Sequence, residues 1–286
     1  MPRFLAIGHV TRDARPGGDV LGGAASFSAL TAQRLGWEVG VLTAAGPDFE
    51  PEKELPGVSV FVRRSKATTR FVNTYDEDGT RHQVVTSRAD DIDLEPLPDQ
   101  WRSPEALLLG PVAGELSGFS AASLEADVVG AVAQGWLREI HEGGDVSPRP
   151  WADAARDLLG VHVVFLSDQD VPHADAWSRG LVRHVPMVAL TRGWRGLTLL
   201  TREGEHEVPS LPRTEVDPTG AGDVFSAAFL VRYHESSDPL VAAAFGACAA
   251  SCAVEGVGTS TLGSREEVLA RLEQRDRLID EGEWDE

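Results

Sequence analysis

Residues 217–230 of this 286-residue chain read Asp-Pro-Thr-Gly-Ala-Gly-Asp-Val-Phe-Ser-Ala-Ala-Phe-Leu, and this stretch is the most informative in the sequence. Pro218 prevents a helix from entering it from the N-terminal side. Gly220 and Gly222 allow sharp backbone angles and the close approach of a ligand. The apolar run that follows predicts a helix over 221–233. Its first amides, which are unpaired and aligned with the helix dipole, form a site suited to a phosphate group.

Asp223 lies in the first turn of this predicted helix. A carboxylate at that place can accept a proton from a hydroxyl group while the neighbouring amides stabilise the developing negative charge. The alternative is an ordinary helix start with an aspartate near its N-terminus, which is common in proteins because the carboxylate complements the helix dipole. The surrounding sequence has to decide between the two.

Outward from this segment, short apolar runs alternate with amphipathic stretches, which predicts an α/β fold with a mainly parallel sheet and crossover helices. Residues 58–62, 68–75 and 80–86 differ because they are β-branched, rich in threonine and alternating, and Asp78-Gly79 is a hairpin-turn signal. They predict an antiparallel flap on the parallel core. The expected strands are 4–7, 39–44, 106–109, 128–131, 161–166, 185–190 and 197–200, and the expected helices are 24–35, 221–233, 239–254 and 264–279.

The charge balance bears on the class of partner. The chain has 26 Lys and Arg against 45 Asp and Glu, a formal net charge of −19, which argues against nucleic acid and anionic membranes. No apolar run reaches the ~18 residues of a membrane span, and the first ten residues read as a strand rather than a leader. Cys248 and Cys252 cannot by themselves build a disulfide framework or a zinc site. We expect a cytoplasmic protein that binds neither nucleic acid nor membrane, as a monomer or a homodimer.

The positions of the lysines exclude two further classes of nucleotide-binding protein. Lys53 and Lys66 are the only lysines, and neither follows a glycine-rich loop or has the sequence context of a protein-kinase lysine. Gly8-His-Val follows the first strand without a GxGxxG pattern, which argues against a dinucleotide-dependent oxidoreductase. If this protein binds nucleotide phosphates, backbone amides and arginines must do so.

The segment 217–230 resembles the C-terminal signature of the ribokinase / phosphofructokinase-B family of carbohydrate kinases. Other landmarks of that family occur in order between residues 4 and 272: Asp13, Gly22-Gly23, Thr191-Arg-Gly193-Trp-Arg-Gly196 and Gly256-Val-Gly258. The resemblance implies a ribokinase-like three-layer sandwich with a mainly parallel central sheet. It also implies one kinase domain over 1–286, with a small β-lid formed by 11–22 and 58–86.

The resemblance also implies an activity, the transfer of the γ-phosphoryl group of ATP, with Mg²⁺, to a hydroxyl of a sugar, polyol or nucleoside. A monovalent cation is a further cofactor to consider. In the family pattern the aspartate is the catalytic base and the preceding amides form the anion hole, which here are Asp223 and Gly220, Ala221 and Gly222. The acceptor would meet Asp13, Gly22 and Gly23, and the nucleotide would meet Thr191, Gly193, Gly196, Gly256 and Gly258.

Two places depart from the family pattern. Phe27 stands where the family usually has Asn, a few residues after the glycine pair. Ser167-Asp-Gln-Asp170 stands where the family has Asn-x-x-Glu, a motif linked to the magnesium and phosphate network. Serine and aspartate still carry oxygen atoms that bind water or metal. Asp170 is therefore expected to act on the metal through water.

The lid pattern looks most like that of the myo-inositol kinase branch. The residues expected to contact a cyclitol are Asn73, Tyr75 and Gln83 in the lid and Gln134, which begins the motif Gln134-Gly-Trp-Leu-Arg138. Polar lid groups of this kind suit the many donors and acceptors of a polyhydroxylated ring.

Two alternatives stay open. A nucleoside kinase needs an aromatic or apolar surface for the base, which Phe27, Phe71 and Tyr75 could supply. A non-catalytic relative that binds a sugar or nucleotide would be expected to lose Asp223 or the glycines before it, and all of them are present.

Overall fold

A large sheet and a smaller lid sheet organise the protein, and the computed structural model describes residues 1–75 and 81–281. The strands are β1 (Arg3–Ile7), β2 (Thr11–Arg15), β3 (Gly18–Gly22), β4 (Glu38–Ala45), β5 (Ser59–Arg64), β6 (Thr69–Tyr75), β7 (Arg81–Ser87), β8 (Ala106–Leu109), β9 (Val128–Val132), β10 (Arg138–Ile140), β11 (Val146–Pro148), β12 (Val163–Ser167), β13 (Met187–Thr191), β14 (Leu197–Thr201) and β15 (Glu205–Val208). The helices are α1 (Ala24–Arg34), α2 (Pro51–Glu54), α3 (Ala154–Asp157), α4 (Ala174–Leu181), α5 (Ala221–Ser236), α6 (Pro239–Ala253) and α7 (Arg265–Asp280).

Within these described residues, the large sheet has nine strands in the order β15-β14-β13-β12-β9-β8-β1-β4-β5. All neighbours from β13 to β5 are parallel, and β14 and β15 are added antiparallel at one edge. The mainly parallel α/β fold expected from the sequence is therefore confirmed. None of the helices in the described part of the chain is long and apolar enough to cross a membrane.

Both faces of the large sheet are covered, which gives three layers. Side chains alternate along a strand, so Phe4 and Ala6 of β1 pack with α1, α5 and α6, whereas Leu5 and Ile7 pack with the layer that contains Trp101 and α4. Burial on both faces explains why the central strands read as continuous apolar runs. The carboxyl ends of the parallel strands then lie along one edge, where ligands bind in open α/β sheets.

The lid is a four-stranded sheet in the order β3-β2-β6-β7. The prediction that residues 58–62 belong to the flap was wrong, because β5 pairs in parallel with β4 at the edge of the large sheet. Its β-branched residues serve a sheet in either place, so composition alone does not distinguish the two. β6 and β7 do pair antiparallel as expected, and the predicted turn at Asp78-Gly79 lies outside the described residues.

A second hairpin, β10–β11, was not expected from the sequence. It is antiparallel and touches the lid, where the Val85 amide donates to the Gly144 carbonyl at 2.8 Å. Each of its strands has only three residues, Arg-Glu-Ile and Val-Ser-Pro. Three residues are too few to show the alternation of apolar and polar residues that identifies a strand. The hairpin places Arg138 beside the lid, and this position matters for the site below.

The two apolar helices α5 and α6 pack closely through a glycine. A Cβ atom built at Gly246 would lie 2.9 Å from the ring of Phe225.

We predict that Gly246→Val lowers the free energy of unfolding by about 1–3 kcal/mol, because the added atoms force the helices apart. Denaturant titration measures this change. Gly180→Ala is the matched control: this helical glycine has open space around it, so alanine should leave stability unchanged or raise it by up to about 1 kcal/mol. Equal unfolding midpoints for Gly246→Val and the wild type would contradict the packing argument.

Candidate active site at the start of α5

The backbone before α5 is fixed by the glycine that the motif supplies. Gly220 has φ 82°, in the left-handed region, and caps the helix. A Cβ atom there would also lie 2.4 Å from the ring of Phe27 on α1. Phe27, which departs from the family pattern, therefore packs under the loop and is only 2% exposed. The two helices meet through a ring and a bare backbone.

The amides around this turn divide into paired and unpaired groups. The Ala221 amide donates to the Pro218 carbonyl at 3.1 Å, and the Asp223 amide donates to the Gly220 carbonyl at 3.0 Å. Within residues 1–75 and 81–281, the amides of Gly220 and Gly222 have no acceptor. These two amides are the ones able to bind an anion at the helix start. Of the three expected anion-hole residues, Ala221 thus has its amide engaged in the turn.

Asp223 is half-buried at this helix start, and its pKa is the most strongly shifted in the site. Burial raises its pKa from the ordinary 3.8 to about 7, Arg138 opposes the rise, and the negative charges of Asp170 and Asp13 add to it. Four charged groups from different elements therefore lie near one another: Asp223 on α5, Asp13 on β2, Asp170 in the turn after β12 and Arg138 on β10. A carboxyl with a pKa near neutrality is suited to general-base chemistry.

Asp13 and the glycine pair form the neighbouring corner. Gly22 lies opposite Thr11 in the β2–β3 pair, and a Cβ atom at Gly22 would lie 2.4 Å from the Asp13 carboxylate. The Thr11 hydroxyl donates to Asp13 at 3.1 Å. Gly23 has φ 91° and starts α1 directly after this contact. The predicted acceptor residues Asp13, Gly22 and Gly23 therefore lie together, and electrostatics link Asp13 to Asp223.

The polar lid residues share one face. Asn73 and Gln83 are cross-strand partners, and the Gln83 amide nitrogen donates to the Asn73 carbonyl oxygen at 2.9 Å. Phe71, two residues before Asn73, is on the same face by alternation, and the Arg138 guanidinium lies 6.0 Å from the centre of its ring. The backbone of Tyr75 ends β6. Asn73 and Gln83 thus lie on the face of the lid that Arg138 approaches.

Gln134 follows β9 at the carboxyl edge of the sheet and is half-buried. Arg138, four residues later, donates to the Val112 carbonyl at 3.5 Å. The sequence contains Arg138 within the motif that begins at Gln134. The scarcity of lysine leaves arginine to compensate the negative charge of the site, but nothing in the sequence indicates that Arg138 is the arginine that acts on Asp223.

The expected nucleotide residues lie farther along the same edge. Thr191 ends β13, and its hydroxyl donates to the Leu166 carbonyl at 3.2 Å. Gly193 and Gly196 have φ 59° and 88° in the turn between β13 and β14, and a Cβ atom at Gly196 would collide with the Val208 carbonyl. Arg192 and Arg195 in this turn are paired with Asp175 and Asp168. The turn is thus held by ion pairs as well as by its glycines.

Gly256 and Gly258 lie in the loop between α6 and α7, next to the motif itself. The amides of Val216 and Asp217 both donate to the Val254 carbonyl, at 2.7 and 3.2 Å. Gly258 has φ 61°, and a Cβ atom at Gly256 would lie 2.3 Å from Thr261. This loop and the start of α5 are therefore neighbours, as a nucleotide site spanning both requires.

The candidate metal residue Asp170 is held by its own turn. The Ser167 amide donates to its carboxylate at 2.8 Å, and its own amide donates back to the Ser167 carbonyl at 3.0 Å. No group of three or more His, Cys, Asp or Glu among the described residues could hold a metal ion unaided. One carboxylate near an anion site still fits Mg²⁺, which keeps several waters and binds through one or two carboxylates and the phosphates of its ligand.

Comparison with known proteins shows which families this chain is similar to. Residues 147–266 match the family model described as pfkB family carbohydrate kinase. A nucleoside kinase from Methanocaldococcus jannaschii is 35% identical over 95 residues, so the match spans 32% of this chain and 32% of that protein. A cytidine kinase from Thermococcus kodakarensis is 25% identical over 261 residues, covering 80% of this chain and 88% of that protein.

Solved structures agree on the fold. A pyrophosphate-dependent kinase in the ribokinase family has a TM-score of 0.78 at 23% identity and covers 93% of this chain and 99% of its own. Such a kinase complexed with a pyrophosphate analog and myo-inositol has a TM-score of 0.76 at 22% identity, with the same coverage. Residues 147–266 therefore resemble a pfkB family carbohydrate kinase domain, and the chain has the ribokinase fold. This class of protein comprises kinases of sugars or nucleosides.

The raised pKa of Asp223 has a consequence for stability. Because the folded state holds this proton more tightly than the unfolded chain, the stability that the proton contributes is lost as pH rises from about 4 through about 7. Asp223→Asn has no such proton to lose. We predict that its melting temperature gains on that of the wild type between about pH 5 and about pH 8. A difference that stays constant over this range would contradict the raised pKa.

Proposed function

We propose that this protein transfers the γ-phosphoryl group of ATP to a hydroxyl of a small polyhydroxylated acceptor, with myo-inositol as the favoured substrate. The observation that carries the proposal is the raised pKa of Asp223 beside the unpaired amides of Gly220 and Gly222. A base and an anion site next to each other are what in-line phosphoryl transfer to an alcohol requires.

In this mechanism Asp223 accepts the proton of the attacking hydroxyl at its carboxylate. The amides of Gly220 and Gly222 bind the oxygens of the transferred group, and Arg138 adds positive charge near the same place. Asp13 orients the acceptor by accepting hydrogen bonds from adjacent hydroxyls. Asp170 would hold Mg²⁺ through water, and the ion would neutralise the charge on the donor phosphates. The lid excludes water, which otherwise competes as phosphoryl acceptor.

Two of the three aromatic residues that could hold a base, Phe27 and Phe71, weigh against a nucleoside as acceptor. Phe27 is 2% exposed beneath Gly220, and Phe71 is 4% exposed beside Arg138, so neither presents a free ring for stacking a base. The lid face beyond Phe71 carries the amides of Asn73 and Gln83, which match the hydroxyls of a cyclitol. Nucleoside kinase is the second candidate, because the relatives from M. jannaschii and T. kodakarensis bear nucleoside and cytidine kinase names.

We predict that Asp223→Asn lowers kcat by about 10²–10⁴-fold while the variant still folds and binds the donor, because only the proton acceptor is lost. Wild-type kcat should also fall as the pH drops below about 7, since protonated Asp223 cannot act as a base. Coupled ADP-release assays measure both effects. A variant that keeps more than about a tenth of wild-type kcat would overturn the role given to Asp223.

An acceptor panel tests the substrate. We expect myo-inositol to give a higher kcat/KM than ribose, fructose phosphates, cytidine or adenosine, each assayed with ATP and with pyrophosphate as donor. Efficient transfer to a nucleoside with none to a cyclitol would establish the second candidate. Activity with pyrophosphate alone would overturn ATP as the donor. No transfer to any acceptor would refute the proposed function.

Asp13→Ala should raise the acceptor KM at least about tenfold and leave the donor KM within about twofold, because two hydrogen bonds to acceptor hydroxyls are lost. Asp19→Ala is the matched control in the same hairpin, since Asp19 pairs with Arg70 on the lid. Equal effects of the two substitutions on acceptor KM would show that Asp13 acts only on lid structure.

A further inference from the structure

One ion pair joins the lid directly to the loop before α5. Arg15 ends β2, and its guanidinium donates to the Asp217 carboxylate at 3.0 Å across 202 residues of sequence. Arg15 is partly exposed, whereas the Asp217 side chain is nearly buried. Other contacts of the lid include Thr69 with His9 at 2.8 Å, Arg12 with Asp48 and Glu54, and the bond from Val85 to Gly144 in the β10–β11 hairpin.

Asp217 connects Arg15 to the anion site through its carboxylate. One carboxylate oxygen accepts from Arg15, and the other accepts from the Thr219 amide at 3.0 Å. The Asp217 amide donates to the Val254 carbonyl, so the residue is fixed from both sides. Thr219 directly precedes Gly220, whose amide is one of the two unpaired donors. The orientation of the Asp217 carboxylate therefore helps to set the direction of the Gly220 amide.

We propose that Arg15 is a positioning residue for phosphoryl transfer, which aligns the anion-site loop from the lid through Asp217. The inference rests on the proposed function and adds a coupling to it. The lid holds Arg15 against Asp217 in this structure, and this contact keeps the Gly220 amide aimed at the transferred group. Removing Arg15 leaves the loop held by fewer bonds, so the lid contributes to the order of the phosphoryl site.

A simpler interpretation competes with this one. Exposed ion pairs often contribute nothing measurable, and Arg15 is partly exposed. The two interpretations predict different mobility of the loop before α5 when Arg15 is removed. An ion pair without consequence leaves the loop unchanged, whereas a positioning contact makes the loop more mobile and slows transfer more than it weakens binding.

The first experiment measures the loop without any substrate. Hydrogen–deuterium exchange of a peptide spanning residues 214–224 reports the amides of Thr219, Ala221 and Asp223. We expect Arg15→Ala to speed their exchange at least about fivefold, and Arg15→Lys to have a smaller effect because it keeps the charge. Arg70→Ala is the matched control, since it removes the lid ion pair with Asp19 that does not reach the loop; it should leave this exchange unchanged. Wild-type exchange rates in Arg15→Ala would overturn the inference.

The second experiment measures turnover with whichever acceptor and donor the panel identifies. We expect Arg15→Ala to lower kcat about five- to tenfold with less than about a twofold change in donor KM, and Arg15→Lys to recover part of the loss. Arg15→Ala combined with Asp217→Asn should be no slower than Asp217→Asn alone, because both remove the same contact. Additive losses, or an equal loss in Arg70→Ala, would overturn the positioning role. If the wild type transfers no phosphoryl group, the proposed function fails, while the exchange experiment still decides whether Arg15 orders the loop.

Discussion

Gly220 is the residue on which the arrangement of the site depends. Its left-handed backbone starts α5, and the ring of Phe27 occupies the space where any side chain would extend. The start of α5 is thereby pressed onto α1, which itself begins at the glycine pair beside Asp13. One close contact between backbone and ring thus fixes the distance between the anion site and the acceptor corner. Both helices pack on the same face of the large sheet, and ligands of such sheets bind at the carboxyl edge.

The site at this edge of the sheet combines several carboxylates with few positive groups. Asp13, Asp170 and Asp223 bring three carboxylates to one place, and the proposed function adds the phosphates of a donor there. The N-terminal end of the α5 dipole and Arg138 contribute positive charge that balances them. With two lysines in the chain, arginine is the side chain that performs this balance. Its fixed, planar group also packs against Phe71, so the cation is positioned by the lid as well as by its own hairpin.

The sequence predicts the parts of this site that depend on local chemistry. The start of α5, the glycine turns and the central strands follow from residue type and periodicity, and their bounds agree with the structure to within a few residues. β5 was assigned to the wrong sheet because its β-branched residues suit an edge of either one. The pairing of Arg15 with Asp217 could not be predicted, since only the folded lid brings together residues 202 positions apart. The influence of Arg138 on Asp223 is likewise a property of the fold, because the three-residue strands that carry the arginine have no sequence signature.

The balance of charge also explains why a carboxylate with so unfavourable an environment can persist at Asp223. Burial and two like charges make its ionised form costly, and that cost lowers stability above neutral pH. The same cost makes the ionised form a stronger base than an exposed aspartate. Ligands would shift the balance in opposite directions. An acceptor that displaces water raises the pKa further, while positive charge near Asp170 lowers it by cancelling one of the like charges. The pKa of Asp223 is therefore set by its neighbours, and Asp13 and Asp170 affect the proton at Asp223 in addition to the binding roles proposed for them.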